Sequence, residues 1–435
     1  MFKGALLQHA LNYSLCIIAF AIPFPFIYSS LAIILFFIVW LLQVNVKTLA
    51  NNLKTRRILW LWILLFLLHL MSYTYSIDKN ESIFDLQRKL SFIVLPVIIG
   101  AGISVDKNVL ERVFLFFVIG VSIVGAFCLT RAYLVYYYTG DTRQFFYHPL
   151  IKGSNANAVY EALYTLFSIV TLLFFPWQTK LIKHAKVFLL ILQIVFFILL
   201  SSRTLIVIFF ILILPLYIKR SFSNDQRSLL YSLILLLSYF TLAIAVFKTD
   251  NPIKQRYTEI INENEKIVWN DFNNNRQKEF NNLSLRLFLW KVGLDNMKDH
   301  NLWLKGAGNG SIYTLQNRKM AEYGVMDIYN KEKRSPLYNV NLHNMYLQIF
   351  MMLGIIGIVP FILIVFSPFM YISHFDYKII LFLFAFIMIF LMMQEASLQT
   401  QAGIVFYTFF SMVFYNHACE SRGQSVQKAK QITSD

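Results

Sequence analysis

Three residues combine a reactive type with an unusual position. Arg203 stands between two apolar runs, flanked by Ser201, Ser202 and Thr204, a compact polar patch suited to an anion. An arginine at the centre of a membrane span costs roughly 2.5–3.5 kcal/mol on insertion scales, and less near the interface. Such a residue either snorkels to the surface or holds a ligand. Arg286 heads an amphipathic stretch, where it is either an ordinary solvated cation or a second anion ligand. His343 stands where an apolar run resumes, with Asn344, Tyr346 and Gln348 in the next turn and a half. At about 100° per residue His343 and Tyr346 fall on one arc, with Asn344 and Gln348 on the adjoining one. Two arginines and a histidine suit a phosphate or diphosphate, because the planar guanidinium bonds phosphate oxygens in pairs and stays charged. The histidine then serves either as a general base or as a further phosphate contact.

Other polar residues near the ends of apolar runs are weaker candidates. Glu161 and Glu395 could act as acid, base or sugar contact, although Glu161 reads better as a hydrogen-bonded interfacial carboxylate. Arg88, Lys89 and Arg143 add positive charge on the same side, as site residues or as headgroup contacts. Gly306-x-Gly308-x-Gly310 follows no strand and lacks the acidic partner of a dinucleotide fold, so it reads as a tight turn. No histidines and carboxylates have metal-ligand spacing, and no Gly-x-Ser-x-Gly is present. The site is therefore expected to use neither metal nor cofactor.

The elements that must position these residues are membrane helices. The chain is 57% hydrophobic and 14% charged over 435 residues, with repeated apolar runs long enough to cross a bilayer. These lie near 5–22, 26–43, 57–73, 89–105, 113–137, 157–176, 185–201, 203–219, 229–247, 345–370, 378–394 and 401–417, about twelve in all. The expected fold is an all-α polytopic membrane protein with one large extracytoplasmic loop capping the outer face. The first run follows Lys3 and resembles a signal sequence. It reads as a retained helix, because no small-residue cleavage site stands out and Pro23-Phe24-Pro25 leads straight into the next run. Phenylalanine, at 42 residues, suits a lipid-facing surface.

The formal charge of +16 is no nucleic-acid footprint, because Lys and Arg concentrate in short loops between apolar runs. Those loops are richer in Lys and Arg on the side of the N-terminus, which places both termini in the cytoplasm. Residues 1–247 then carry nine spans, 248–342 form the outer cap, 343–419 carry three more spans, and 420–435 form a cytoplasmic tail. Within the cap, an Asn-rich piece from Asn262 to Asn282 precedes Leu283, Leu287, Trp290, Leu294 and Met297. Their spacing predicts an amphipathic helix with one apolar stripe, leaving Arg286 and Lys291 off it. Cys16, Cys128 and Cys419 suggest no disulfide frame.

In order, these motifs resemble the O-antigen ligase family, whose domain is shared with O-antigen polymerases. Ser201-Ser202-Arg203-Thr204 is similar to its S-R-T element. Arg286-x-x-x-Trp290 followed by Gly306-x-Gly308-x-Gly310 is similar to its R…W…G-x-G run. Leu342-His343-Asn344-x-Tyr346-Leu347-Gln348 followed by Gly354-Ile355-Ile356-Gly357 resembles its HN-x-Y-L-Q…G-x-x-G signature, and Gln394-Glu395 to Gln401-x-Gly403 resembles the last paired helices of some members. The resemblance covers roughly 200–415 by motif and the first 200 residues by topology. Tyr147-His148 and Asn155–Tyr160 match no part of the pattern.

The resemblance implies a GT-C-like glycosyltransferase in the bacterial inner membrane, with its active site facing the periplasm. It would perform an inverting, metal-independent transfer from an undecaprenyl-diphosphate-linked glycan. The acceptor would be a lipid A–core sugar hydroxyl in a ligase, or another lipid-linked glycan in a polymerase. A protein oligosaccharyltransferase would use the same donor. On that reading Arg203 and Arg286 bind the diphosphate and His343 is the catalytic residue, with Asn344, Tyr346, Arg88 and Glu395 in support. A transporter or flippase for lipid-linked glycans is the rival from another class. It fits less well, because transporters often show inverted repeats and midplane polar groups, whereas this chain has no repeat and its candidates cluster at one face.

Overall fold

The computed structural model describes residues 2–154, 157–222, 282–325 and 337–432. The expected span at 229–247, all but the last residue of the Asn-rich piece at 262–282 and the opening of the cap lie outside them. The described residues are mostly helical and contain no strand, as lipid demands of a chain that must satisfy its backbone polar groups internally. Four helices among them are long and apolar enough to cross a membrane: Ile58–Tyr75, Lys107–Thr139, Ile182–Leu199 and Met345–His374. Phe26–Leu41 and Val46–Thr55 make a fifth candidate as a pair bent by 115°. Leu6–Ala21, Ala158–Phe174 and Lys378–Gln394 are shorter apolar helices.

Two of the expected runs are interrupted by π turns. Ser91–Leu95 gives way to a π turn at Pro96–Ala101, and Arg203–Ile208 passes through a π turn at Phe209–Ile213 before Leu214–Phe222. A proline accounts for each. Pro96 and Pro215 donate no backbone hydrogen bond to the preceding turn and push on its carbonyl, so the helix widens locally.

The bundle has two distinct polar ends. At one, Glu111 accepts from the backbone of Gln178 and Thr179 at 2.8 and 2.7 Å, and His417 reaches Asp376 at 3.2 Å. The candidate site residues occupy the other. Between the ends, phenylalanines fill the interior as well as the lipid-facing surface. Phe410 meets Phe117 and Phe167 edge-on, each at 4.9 Å between ring centroids. Such pairs add about 0.5–1.5 kcal/mol beyond their area.

The two glycine motifs form one joint. Gly354 breaks the helix Met345–Tyr371, with φ +60° and ψ −158°, a conformation nearly restricted to glycine. The break frees backbone groups, and the segment leading into the glycine turn takes them up. Ala307 N–H donates to the Met351 carbonyl at 2.8 Å and Gly308 N–H to that of Met352 at 2.9 Å. In return Ile355 N–H donates to the Trp303 carbonyl at 2.8 Å. A Cβ at position 354 would also collide with the Leu304 carbonyl. Gly354→Ala is therefore expected to destabilise the fold by about 1–3 kcal/mol from backbone strain alone. A fall in the thermal midpoint of the detergent-purified protein checks it, and an unchanged midpoint would contradict the account of the joint.

The amphipathic helix forms at Asn282–Asp299, but its buried face differs from the expected stripe. Phe288, Leu289, Val292 and Met297 are fully buried, whereas Leu294 is 40% exposed. Two packing surfaces compete for this short helix. Gly293 lies against Leu342 and Leu347, and Phe288 meets Tyr323, which closes the helix Ile312–Glu322, edge-on at 6.1 Å. Trp290 Nε1 donates to the Leu342 carbonyl at 2.9 Å and so ties this helix to the residue before His343.

Candidate active site

His343 precedes the helix Met345–Tyr371 with φ +47°, in the left-handed region that costs a non-glycine residue of order 1–3 kcal/mol. Its neighbours hold it there. Its N–H donates to Asn341 Oδ1 at 2.9 Å, Asn344 caps the helix by accepting from Leu347 N–H at 3.0 Å, and Gln348 Oε1 accepts from Leu342 N–H at 3.1 Å. Side-chain capping of this kind satisfies a backbone donor that the first helical turn leaves over. The polar residues after His343 thus fix the backbone that presents it. Tyr346 does similar work one turn on, donating to the Ile389 carbonyl at 3.3 Å and joining this helix to Lys378–Gln394.

The partner of the imidazole is distant in sequence. His343 Nδ1 lies 3.3 Å from Glu395 Oε2, and the Glu395 side chain is 12% exposed. Glu395 closes the helix Lys378–Gln394, and the loop after it is held from three directions. Tyr160 Oη donates to the Ser397 carbonyl at 3.3 Å, Leu398 N–H to Met345 Sδ at 3.3 Å, and Arg88 Nη1 to the Gln399 carbonyl at 3.0 Å. Arg88 also pairs with Glu81 at 3.2 Å and lies over the Phe84 ring. It supports the loop that carries Glu395.

Beside this dyad lies a cavity of about 630 Å³. Its polar end is lined by Arg203, Arg286, Glu395, Gln394 and the Ser201–Ser202 pair. Thr204 donates a hydrogen bond to the Gln394 side chain, which joins the helix beginning at Arg203 to the end of Lys378–Gln394. The remaining wall is apolar, with Val207, Ile208 and Ile211 on one side and Phe386, Phe390 and Leu391 on the other. Ile211 is 73% exposed and Phe390 40% exposed, so this wall opens sideways, toward lipid in a membrane. The cavity is thus cationic at one end and greasy along its length. Its apolar stretch includes Ile211 and Leu212 of the π turn.

Of the residues singled out in the sequence, the structure brings Arg203, Arg286 and Glu395 to one cavity and adds His343 through Glu395. Asn344, Tyr346 and Arg88 bond to the elements around it. Arg143 is paired with Asp141 at 2.8 Å, and its guanidinium holds the Asp141 carboxyl down at about 2. Lys89 is fully buried against Asp85 at 2.5 Å. Glu161 is buried at the start of the helix Ala158–Phe174. Sequence reasoning missed the Thr204–Gln394 bond and the pairing of Glu395 with His343. The signal available for both was the polar pair Gln394-Glu395 at the end of an apolar run.

Residues 188–362 match the family model described as O-Antigen ligase. No curated protein matches the chain. The matched stretch contains Arg203, Arg286, His343 and the Gly354 joint, while Glu395 lies beyond its end. From the helix before Arg203 to the helix after His343, then, this membrane protein matches the O-antigen ligase family, the one its motifs resemble.

Proposed function

We propose that this protein is an O-antigen ligase, which transfers a glycan from undecaprenyl diphosphate to a sugar hydroxyl of lipid A–core at the periplasmic face of the bacterial inner membrane. One observation carries the reading: Arg203, Arg286 and the His343-bonded Glu395 meet at a cavity whose other wall is apolar and laterally open. A polyprenyl diphosphate has that same division, a dianionic head on a long hydrocarbon. The tail lies along Val207, Ile211 and Phe390, and the diphosphate reaches the two guanidinium groups.

The reaction is a displacement at the anomeric carbon with inversion. The acceptor oxygen forms the new bond as the bond to the diphosphate oxygen breaks, and the bonding pair leaves with the diphosphate. Arg203 and Arg286 stabilise the charge that grows there, as fixed donors do in a partly dewatered site. His343 takes the acceptor proton, while Glu395 holds the imidazole at Nδ1 and leaves Nε2 to act. A diphosphate is a good leaving group, so the help is spent on the nucleophile.

The decisive experiment supplies the purified protein in lipid nanodiscs with lipid-linked glycan and lipid A–core. A single addition to core is the expected product. A ladder of chain lengths would assign a polymerase, and movement of donor without a new glycosidic bond would assign a transporter. The groove makes a separate prediction. Phe390→Ala removes apolar wall and is expected to raise KM for the lipid-linked donor on the order of tenfold, the value of about two buried methylenes. An unchanged donor KM would place the tail elsewhere.

A further inference from the structure

A second, smaller cavity of about 200 Å³ lies on the same end of the molecule. The start of the helix Lys79–Lys89 supplies Asp78 and Glu81, the helix Ile312–Glu322 supplies Tyr313, Thr314 and Arg318, and Tyr338 and Asn339 close it. Its walls are pinned. Asp78 N–H donates to the Gly310 carbonyl at 3.1 Å and Ile77 N–H to Ser311 Oγ at 2.9 Å. Across the floor Asn317 Nδ2 donates to Asn339 Oδ1 at 2.7 Å, and Asn339 N–H returns to Asn317 Oδ1 at 3.2 Å.

The lining mixes carboxylates, amides, a hydroxyl, a guanidinium and two phenol rings. Carboxylate and amide oxygens accept from sugar hydroxyls, guanidinium and amide N–H groups donate to them, and aromatic faces cover the C–H side of a pyranose ring. Two carboxylates disfavour a phosphate at this position despite Arg318. Burial pushes the Tyr313 hydroxyl up to about 12, so it remains a donor. The same pocket is wired to the dyad: Glu81 bonds Arg88 at 3.2 Å, and Arg88 bonds the Gln399 carbonyl in the loop that begins at Glu395.

We propose that this pocket is a saccharide subsite, holding one neutral sugar ring of a reacting glycan and braced through Glu81 and Arg88 against the loop that carries Glu395. The proposal rests on the glycosyl-transfer reading above. It extends that reading to a second contact on the glycan itself, remote from the diphosphate. Both reacting glycans carry such rings, and the test separates them.

Saturation-transfer NMR on the full chain in nanodiscs reads binding without requiring transfer. Two lipid-free probes are used, core oligosaccharide and the oligosaccharide of the donor repeat. Wild type is expected to give signals from one of them. Thr314→Trp, which fills the pocket, and Arg318→Ala, an exposed position that the fold tolerates more readily, are expected to lose them or weaken them at least fivefold. The transfer assay should then show KM rising by a similar factor for the same glycan's parent substrate, with kcat close to wild type. Core oligosaccharide signals mark an acceptor subsite, and repeat-unit signals mark a donor subsite. No signal from either probe, or signals that persist in both variants, overturns the subsite even if wild type transfers glycan normally. Glycan binding without transfer overturns the reaction and leaves the subsite standing.

Discussion

Replacing His343 with alanine is expected to lower kcat for glycan transfer by roughly 10²–10⁴-fold, the usual contribution of a positioned general base. The side chain meets the cavity through Glu395 and does not line it, so donor binding should survive. KM for the lipid-linked donor is expected to stay near wild type. A phosphate contact would behave in the opposite way, raising donor KM. Added imidazole gives a second readout. It should restore part of the activity of His343→Ala in a concentration-dependent way, because a free base can enter the space the ring vacates. Glu395→Gln should fall between wild type and His343→Ala, and Glu395→Asp should recover part of that loss, since a carboxylate can still accept from Nδ1. If kcat of His343→Ala lies within twofold of wild type, the residue has no place in the mechanism.

The site forms where helices are interrupted. His343 lies just outside a helix, in a left-handed conformation held by Asn341, Asn344 and Gln348. Glu395 lies just past the end of another, and Arg203 begins a third that widens into a π turn six residues later. Uninterrupted spans would aim these side chains at lipid or into packed neighbours. Breaks at the bundle end let side chains from three distant stretches converge while each backbone stays satisfied. The Gly354 joint extends the same logic, binding the glycine turn to the helix that His343 precedes.

Among the described residues, the positions of the apolar helices were largely legible because lipid imposes a strong and simple demand, a continuous apolar run. The joint between Gly306–Gly310 and Gly354–Gly357 was visible as two glycine motifs and not as one contact, because a turn and a helix break pair through backbone groups that carry no side-chain signature. Arg203 and His343 stood out because charged or polar residues at the mouths of apolar runs are costly to keep, and Arg286 because it heads an amphipathic stretch in the cap. That the two arginines meet at one cavity, with His343 joined to it through Glu395, was a matter of tertiary geometry. The His343–Glu395 contact joins residues 52 positions apart, and periodicity speaks only to residues on one helix. The same limit explains the 282–299 helix: a stripe at helical spacing gave the helix, but Leu294 faces outward because Leu342, Leu347 and Tyr323 select the adjoining arc.

The two arginines give the sharper test of the diphosphate reading, because a lysine keeps the charge and removes only the geometry. Arg203→Lys and Arg286→Lys are each expected to cut kcat/KM on the order of 10²-fold, the loss seen when one fixed donor to a developing negative charge is removed. A lysine ammonium still attracts the donor, so any long-range steering remains. What it lacks is the planar fork that bonds two phosphate oxygens at once and turns with the charge as the glycosidic bond lengthens. Both side chains line one cavity, so their effects should couple. The double lysine variant is expected to lose less than the product of the single losses, because removing one donor already lets the diphosphate shift away from the other. Single-turnover transfer in nanodiscs, read as release of undecaprenyl diphosphate, measures this directly. Strict additivity would place the two arginines on separate anions, and full activity in both single variants would remove the diphosphate from this cavity.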